Sequence, residues 1–259
     1  MTEPVLEAVG LAKSYGALVV VDRLTLQLER GARHALIGPN GAGKTTCVGL
    51  LSGVVRADAG RITLMGNEIT HVSVQRRVKQ GLVRSFQINN LFRRLSVLEN
   101  VYLAVSEQLG ARGDMISFGG RRHDILDRVE QVIETLGLAA DRHRRVAEMA
   151  YGRQRLVEIA IALSLEPRVL LLDEPTAGVP KGELRRLLDT IEGLPSEIAI
   201  LMIEHDMQVV RRFAQHISVM VAGSILMEGR PDAVMASEQV RTVYLGQASY
   251  AQLSEPSRA

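Results

Sequence analysis

The chain has 259 residues, enough for one large domain or for a domain carrying a sizeable insertion. Its 31 basic and 29 acidic residues leave a formal charge of +2, which excludes a diffuse cationic surface for nucleic acid or anionic lipid but leaves room for a local basic patch. One cysteine excludes an intramolecular disulfide, the opening "MTEPVLEAVG" has neither the basic nor the apolar region of a secretory signal, and apolar runs such as "IAILMI" at 198–203 fall far short of the roughly 20 residues of a membrane helix. The expected compartment is reducing cytosol, and any service to a membrane runs through a partner.

β-rich runs dominate the beginning. "ALVVVDRLTLQLE" alternates apolar and polar residues from Leu24 to Leu28, and "RHALIG" reads as a short buried strand ending in glycine. A helix is expected over Lys44 to Ser52. "GRITLMG" reads as a strand, "VSVQRRVKQG" as a helix closed by Gly81, and "LVRSF" as another strand. From about Leu91 to Glu166 strand signals disappear: "SVLENVYLAVSEQL", "HDILDRVEQVIETLGL" and a segment from about Gly152 are helical, separated by the Gly-rich "GARGDMISFGGRR" and the basic "DRHRR". Strand and helix then alternate through "RVLLLD", "KGELRRLLDTIEGL", "EIAILMIEHDM", "HISVMVAGSILMEG" and "SEQVRTVYLG", and only the last dozen or so residues read as a loose tail. The pattern predicts an α/β fold, a parallel sheet wrapped by helices, interrupted by a helical insertion.

The chemistry begins at "GPNGAGKTT", Gly38 to Thr46, which matches G-x-x-x-x-G-K-[ST] between a strand and a helix. Gly38, Gly41 and Gly43 let the backbone curl so that N–H groups, including those around Pro39, Asn40 and Ala42, converge on phosphate oxygens. Lys44 supplies a point charge for the β and γ phosphates, Thr45 offers a hydroxyl to Mg²⁺, and Thr46 can bond phosphate from the first turn. Cys47 reads as a small packed residue. After the helical stretch, "RVLLLDEPTAG" is an apolar strand ending in two adjacent carboxylates at the edge where open parallel sheets bind ligands. Asp173 there would hold Mg²⁺ through water, and Glu174 would polarise the attacking water as general base. The next strand ends near His205, on the same edge, where it becomes a contact to the γ phosphate rather than an ordinary loop residue.

The helix opening "MAYGRQRLVEIA" places Leu156, Ile159, Ala160 and Leu163 on one face and leaves its N-terminus near Gly152 beside Arg153 and Arg155. Cations at the positive end of a helix are locally unfavourable unless an anion or carboxylate completes the site. The residues alone leave two readings open: such a site, or a simple Arg155–Glu158 pair on a solvated face.

With the P-loop, "DEP", "EHD" and this helix in that order, the sequence from about Leu6 to Gly246 resembles the ATP-binding subunit of ABC transporters. The resemblance implies a single ABC ATP-binding domain over 1–246, with an N-terminal antiparallel β-subdomain, an ATPase core of 1–86 and 168–246, a helical insertion over 87–167 and a tail over 247–259. It makes ATP and Mg²⁺ the ligands, aligns Met149 to Arg153 with the family's signature motif, and places Gly152 against the γ phosphate bound by a second ATP-binding subunit, so that the missing charge belongs to another chain's ligand. It also implies that Tyr15 of "KSYG" stacks on adenine and that Gln87 of "RSFQ" contacts Mg²⁺ and couples to the membrane subunit. Three positions depart from the family pattern: Ala150 stands for the signature serine, Tyr151 for its first glycine, and Pro180 for the aspartate of the loop after "EPTAG".

"LVRSFQINNLFRRLSVLENV", "AYGRQRLVEIA", "IEHDM" and "VYLG" together resemble the cassettes of branched-chain amino-acid importers and related amide or urea uptake systems. That resemblance implies integral membrane permease subunits, a periplasmic substrate-binding protein, no nucleic acid, and a place at the cytoplasmic face of the inner membrane. A lipopolysaccharide-export cassette, on "FRRLSV" and "VRTVYLG", and a soluble non-transport ABC ATPase are the alternatives.

Overall fold

A computed structural model describes residues 3–85, 91–110 and 120–244. Its described residues divide into two compact units: those within 1–82, 168–175 and 196–259 form the first, and those within 83–167 and 176–195 the second.

The first unit opens with an antiparallel sheet in the order β2-β1-β4-β5, made from β1 (Leu6–Tyr15), β2 (Leu18–Leu28), β4 (Ala59–Leu64) and β5 (Asn67–Glu68). Leu24, Leu26 and Leu28 of β2 are buried while Arg23, Thr25 and Gln27 are exposed. That alternation is what one solvated face demands. The sheet carrying the P-loop has the order β10-β9-β3-β8-β7-β6. Its strands are β3 (Arg33–Ile37), β6 (Leu82–Arg84), β7 (Val169–Asp173), β8 (Ala199–Ile203), β9 (His216–Val221) and β10 (Ser224–Gly229). β3 pairs in parallel with both β8 and β9, and β8 with β7. All five residues of β8 are buried, as a strand covered on both faces requires.

β10 departs from the parallel pattern by returning antiparallel along β9. The turn is Ala222–Gly223, both left-handed at φ 45° and 88°, the geometry of a two-residue hairpin turn matched to strand twist. The first unit also carries α1 (Lys44–Ser52), α2 (Val74–Lys79), α7 (Met207–Phe213), α8 (Pro231–Ala236) and α9 (Glu238–Tyr244). α2 is held by Arg77, whose buried guanidinium donates to the carbonyls of Leu50, Leu51, Thr70 and Val72. Leu6, Leu11, Leu36, Leu51, Ile62 and Leu171 belong to one continuous apolar core.

The second unit contains α3 (Val97–Gln108), α4 (Gly120–Thr135), α5 (Tyr151–Ser164) and α6 (Lys181–Glu192). α3 starts at a capping box: Ser96 Oγ accepts from the Glu99 N–H, and Glu99 accepts from the Ser96 N–H at 2.7 Å. Leu187, Leu188 and Ile191 form the buried stripe of α6, and residues 176–195 cluster with this unit. Gln87 and the tail over 247–259 lie outside the described residues.

Candidate functional site

The loop between β3 and α1 is shaped by contacts that only glycine tolerates. A Cβ on Gly38 would stand 2.1 Å from the Met220 carbonyl oxygen, and one on Gly43 2.5 Å from that of Val20. Gly43 also has φ 101° at the N-cap of α1, where it offers no side chain to the first-turn N–H groups. No acidic residue enters that turn. Lys44 is buried, and its ammonium donates to the carbonyls of Gly38 at 2.7 Å and Pro39 at 3.0 Å. Its pKa is lowered chiefly by burial, against the opposing fields of Glu174 and Asp173. Thr45 is exposed and Thr46 half-buried, whereas Cys47 is enclosed and its thiol pushed up to about 12 by burial. Cys47 is therefore a packing residue.

Asp173 ends β7. Glu174 follows in the left-handed region at φ 47°, its N–H bonded to the Ile203 carbonyl at 3.0 Å. Such a conformation is sparsely populated by residues with a Cβ and is typical of sites where the backbone aims a functional side chain. The Glu174 carboxylate, half exposed, lies 3.8 Å from His205 Nδ1. P-loop lysine, the acid pair and His205 thus gather at the C-terminal ends of neighbouring parallel strands. Glu204 joins them without a sequence motif to announce it: it is wholly buried, and its carboxylate lies 3.9 Å from His205 Nδ1 and accepts from the His205 N–H at 3.3 Å. The only sequence signal for it was its place between β8 and His205 in "IEHD". Tyr15 ends β1 with its ring exposed and the Lys13 ammonium 5.4 Å from the ring centroid.

At the start of α5 the Gly152 N–H and the guanidinium groups of Arg153 and Arg155 find partners within their own chain, while the buried Arg155 Nε has none. The Gly152 N–H donates to Glu183 Oε2 of α6 at 2.8 Å. Arg153 bonds Asp141 and the Gly137 carbonyl. Arg155 bonds Glu158 at 2.9 Å and the Tyr151 hydroxyl at 3.1 Å, and its guanidinium carbon stands 5.3 Å from the centre of the Tyr151 ring. The Arg155–Glu158 pair expected on a solvated face is in fact buried, and one Glu158 oxygen has no hydrogen-bond partner. Burial raises the Glu158 carboxyl to about 7 despite the guanidinium.

A strand-to-helix phosphate loop on a parallel sheet, with paired acids and a histidine on the neighbouring strand ends, defines a P-loop nucleotide-hydrolysing class. Residues 21–177 match the family model for ABC transporter proteins, and the chain belongs to the ABC transporter family, as an ATP-binding cassette and ATPase of α/β fold. It is 35% identical over 255 residues to the high-affinity branched-chain amino acid transport ATP-binding protein LivG of Salmonella typhimurium, covering 96% of this chain and 100% of that protein. BraF of Pseudomonas aeruginosa, with the same description, is 34% identical over the same shares. Among solved structures, a nucleotide-free ATP-binding cassette from an ABC transporter matches with a TM-score of 0.82 and 27% identity, over 95% of this chain and 100% of that one. The ADP conformation of the ATP-binding cassette MJ1267 matches equally well, at 0.82 and 28%, over the same shares.

Proposed function

We propose that this chain binds ATP with Mg²⁺, hydrolyses it, and so drives import of branched-chain amino acids or related amides through integral membrane permease subunits. It would act as one of two cassettes at the cytoplasmic face of the inner membrane, with a periplasmic substrate-binding protein delivering cargo. The gathering of Lys44, Asp173, Glu174 and His205 on one sheet edge carries the ATPase part. The names of LivG and BraF carry the cargo, and favour import over lipopolysaccharide export or non-transport work. No described helix is long and apolar enough to cross a membrane, in keeping with a cassette that works through permease partners.

In this reading the backbone from Gly38 to Thr46, through Pro39, Asn40, Gly41, Ala42 and Gly43, cradles the phosphates, Lys44 neutralises them, and Tyr15 offers its exposed face to adenine. Thr45, Asp173 through water, and Gln87 would hold Mg²⁺. Their donors are all oxygens, the set a hard cation takes. The cation would supply charge neutralisation on the β and γ phosphates. Glu174 then withdraws the proton of the attacking water, and His205 holds the γ phosphate in line. Gly152 serves the γ phosphate of the partner's ATP, for which Glu183 must first yield the Gly152 N–H.

Detergent-extracted complex, reconstituted in vesicles, should take up labelled leucine when supplied with ATP. Glu174→Gln should bind ATP normally while hydrolysis and uptake fall together by about 10² to 10⁴. Unchanged turnover would remove Glu174 from the base role, and brisk hydrolysis without uptake of any branched-chain amino acid would overturn the cargo.

A further inference from the structure

β3 carries the P-loop at its C-terminal end and a histidine at its second position. His34 is buried and sits opposite His216, the first residue of β9, in the parallel register; the two rings are 4.8 Å apart between centroids and tilted by 59°. Ser218, two residues beyond His216 and so on the same face of the sheet, pairs across to Glu228 on β10. His34 Nε2 lies 2.7 Å from Ser218 Oγ, and that hydroxyl donates in turn to Glu228 Oε1. One ligand atom from each of His34, His216 and Glu228 can be chosen so that all lie within 4.8 Å of one another. A cavity of about 640 Å³ opens onto the three side chains and is lined also by Thr25, Arg30 and Gln215. Arg33, beside the same cavity, directs its guanidinium to the carbonyls of Gly31 and Ile198.

We propose that His34, His216 and Glu228 bind a divalent transition metal of the Zn²⁺ class at the end of the sheet away from the ATP chemistry. Two imidazoles and a carboxylate with a remaining position open to solvent are a zinc-type donor set, whereas the all-oxygen set at the P-loop suits Mg²⁺. Bonds of about 2.0–2.1 Å in tetrahedral geometry bring ligand atoms to about 3.4 Å from one another. Side-chain rotation of exposed Glu228 and half-buried His216 closes the difference without moving β3. Ser218 is the outer partner that orients such ligands: binding through His34 Nδ1 keeps its bond to Nε2, and binding through Nε2 releases the hydroxyl to Glu228 alone. The metal would tie β3 to the β9–β10 hairpin, in which Ser218 lies 184 residues beyond His34.

The test uses the full chain stripped with chelator, without nucleotide, and Co²⁺ as a spectroscopic probe. Wild type should take up one equivalent with visible absorption of a four- or five-coordinate nitrogen–oxygen site. Zn²⁺ at 100-fold above its Kd should raise the unfolding midpoint by about 5–10 °C. His216→Ala and Glu228→Gln, whose side chains are not fully buried and whose folding is checked by circular dichroism, should each weaken Co²⁺ binding at least about tenfold and lose the Zn²⁺ shift. Equal Co²⁺ binding by wild type and both variants, or no Zn²⁺ shift in wild type, would overturn the site and leave the three side chains as a hydrogen-bonded strand clasp.

Discussion

Helices α1 and α5 both begin without a side-chain cap, and the structure completes the two starts differently. α1 starts at Gly43 with no capping side chain and no acid in its first turn, behind a glycine loop whose lysine is tied back to the Gly38 and Pro39 carbonyls. α5 starts at Ala150, equally without a local cap or acid, yet its Gly152 N–H is taken by Glu183 from α6. Both ends carry the same partial positive charge, and a carboxylate is a competent substitute for phosphate at either. A bare helix start therefore does not tell whether its donors are kept for a ligand or given to the protein; a carboxylate from another helix decides that.

The sharpest way to separate the two ends is to remove the charge at each. Lys44→Ala should weaken ATP binding by about 10- to 100-fold, the value of a charge-assisted contact, measured by nucleotide titration of the purified subunit. An unchanged affinity would mean that the α1 end does not hold phosphate. Glu183→Ala should leave nucleotide affinity of the isolated subunit within a few fold and cost about 1 kcal/mol of folding stability in urea unfolding, as the loss of a helix cap does. No loss of stability would show the Gly152 contact to be incidental.

The smallest expected effect concerns the buried Arg155–Glu158 pair within α5. The folded-state carboxyl of Glu158 is raised to about 7 from an ordinary value of 4.5. The folded protein then holds a proton that the unfolded chain releases between those values, so this contribution is fully present below about pH 4.5 and is lost as pH rises through 7. Glu158→Gln keeps the shape and removes the titration. The difference in urea midpoint between wild type and variant should shift against wild type from pH 5 to pH 8, and parallel pH profiles would contradict the raised value.

Much of the ATP site is legible in the sequence because its constraints are local. Gly38, Gly43 and Lys44 sit within one loop, and a short buried run followed by "DE" forces both acids to the end of β7. α1 runs over Lys44–Ser52 as its pattern predicts, since a glycine at each end bounds it. The β9–β10 hairpin is harder to read: its turn uses Ala222 at φ 45° where asparagine or glycine would announce it.

What the sequence by itself determined is the alternation of strand and helix, the phosphate loop and the acid pair, all of which depend on side-chain periodicity and backbone freedom over a few residues. Tertiary structure alone decided which distant groups meet. Glu183 reaches Gly152 across 31 residues, and His34 meets Ser218 across 184. Strand register and helix packing set those pairings, and neither leaves a mark in the local pattern. Helix α6 joining the second unit has the same origin, because an amphipathic stripe specifies that a face is buried but not the surface that buries it.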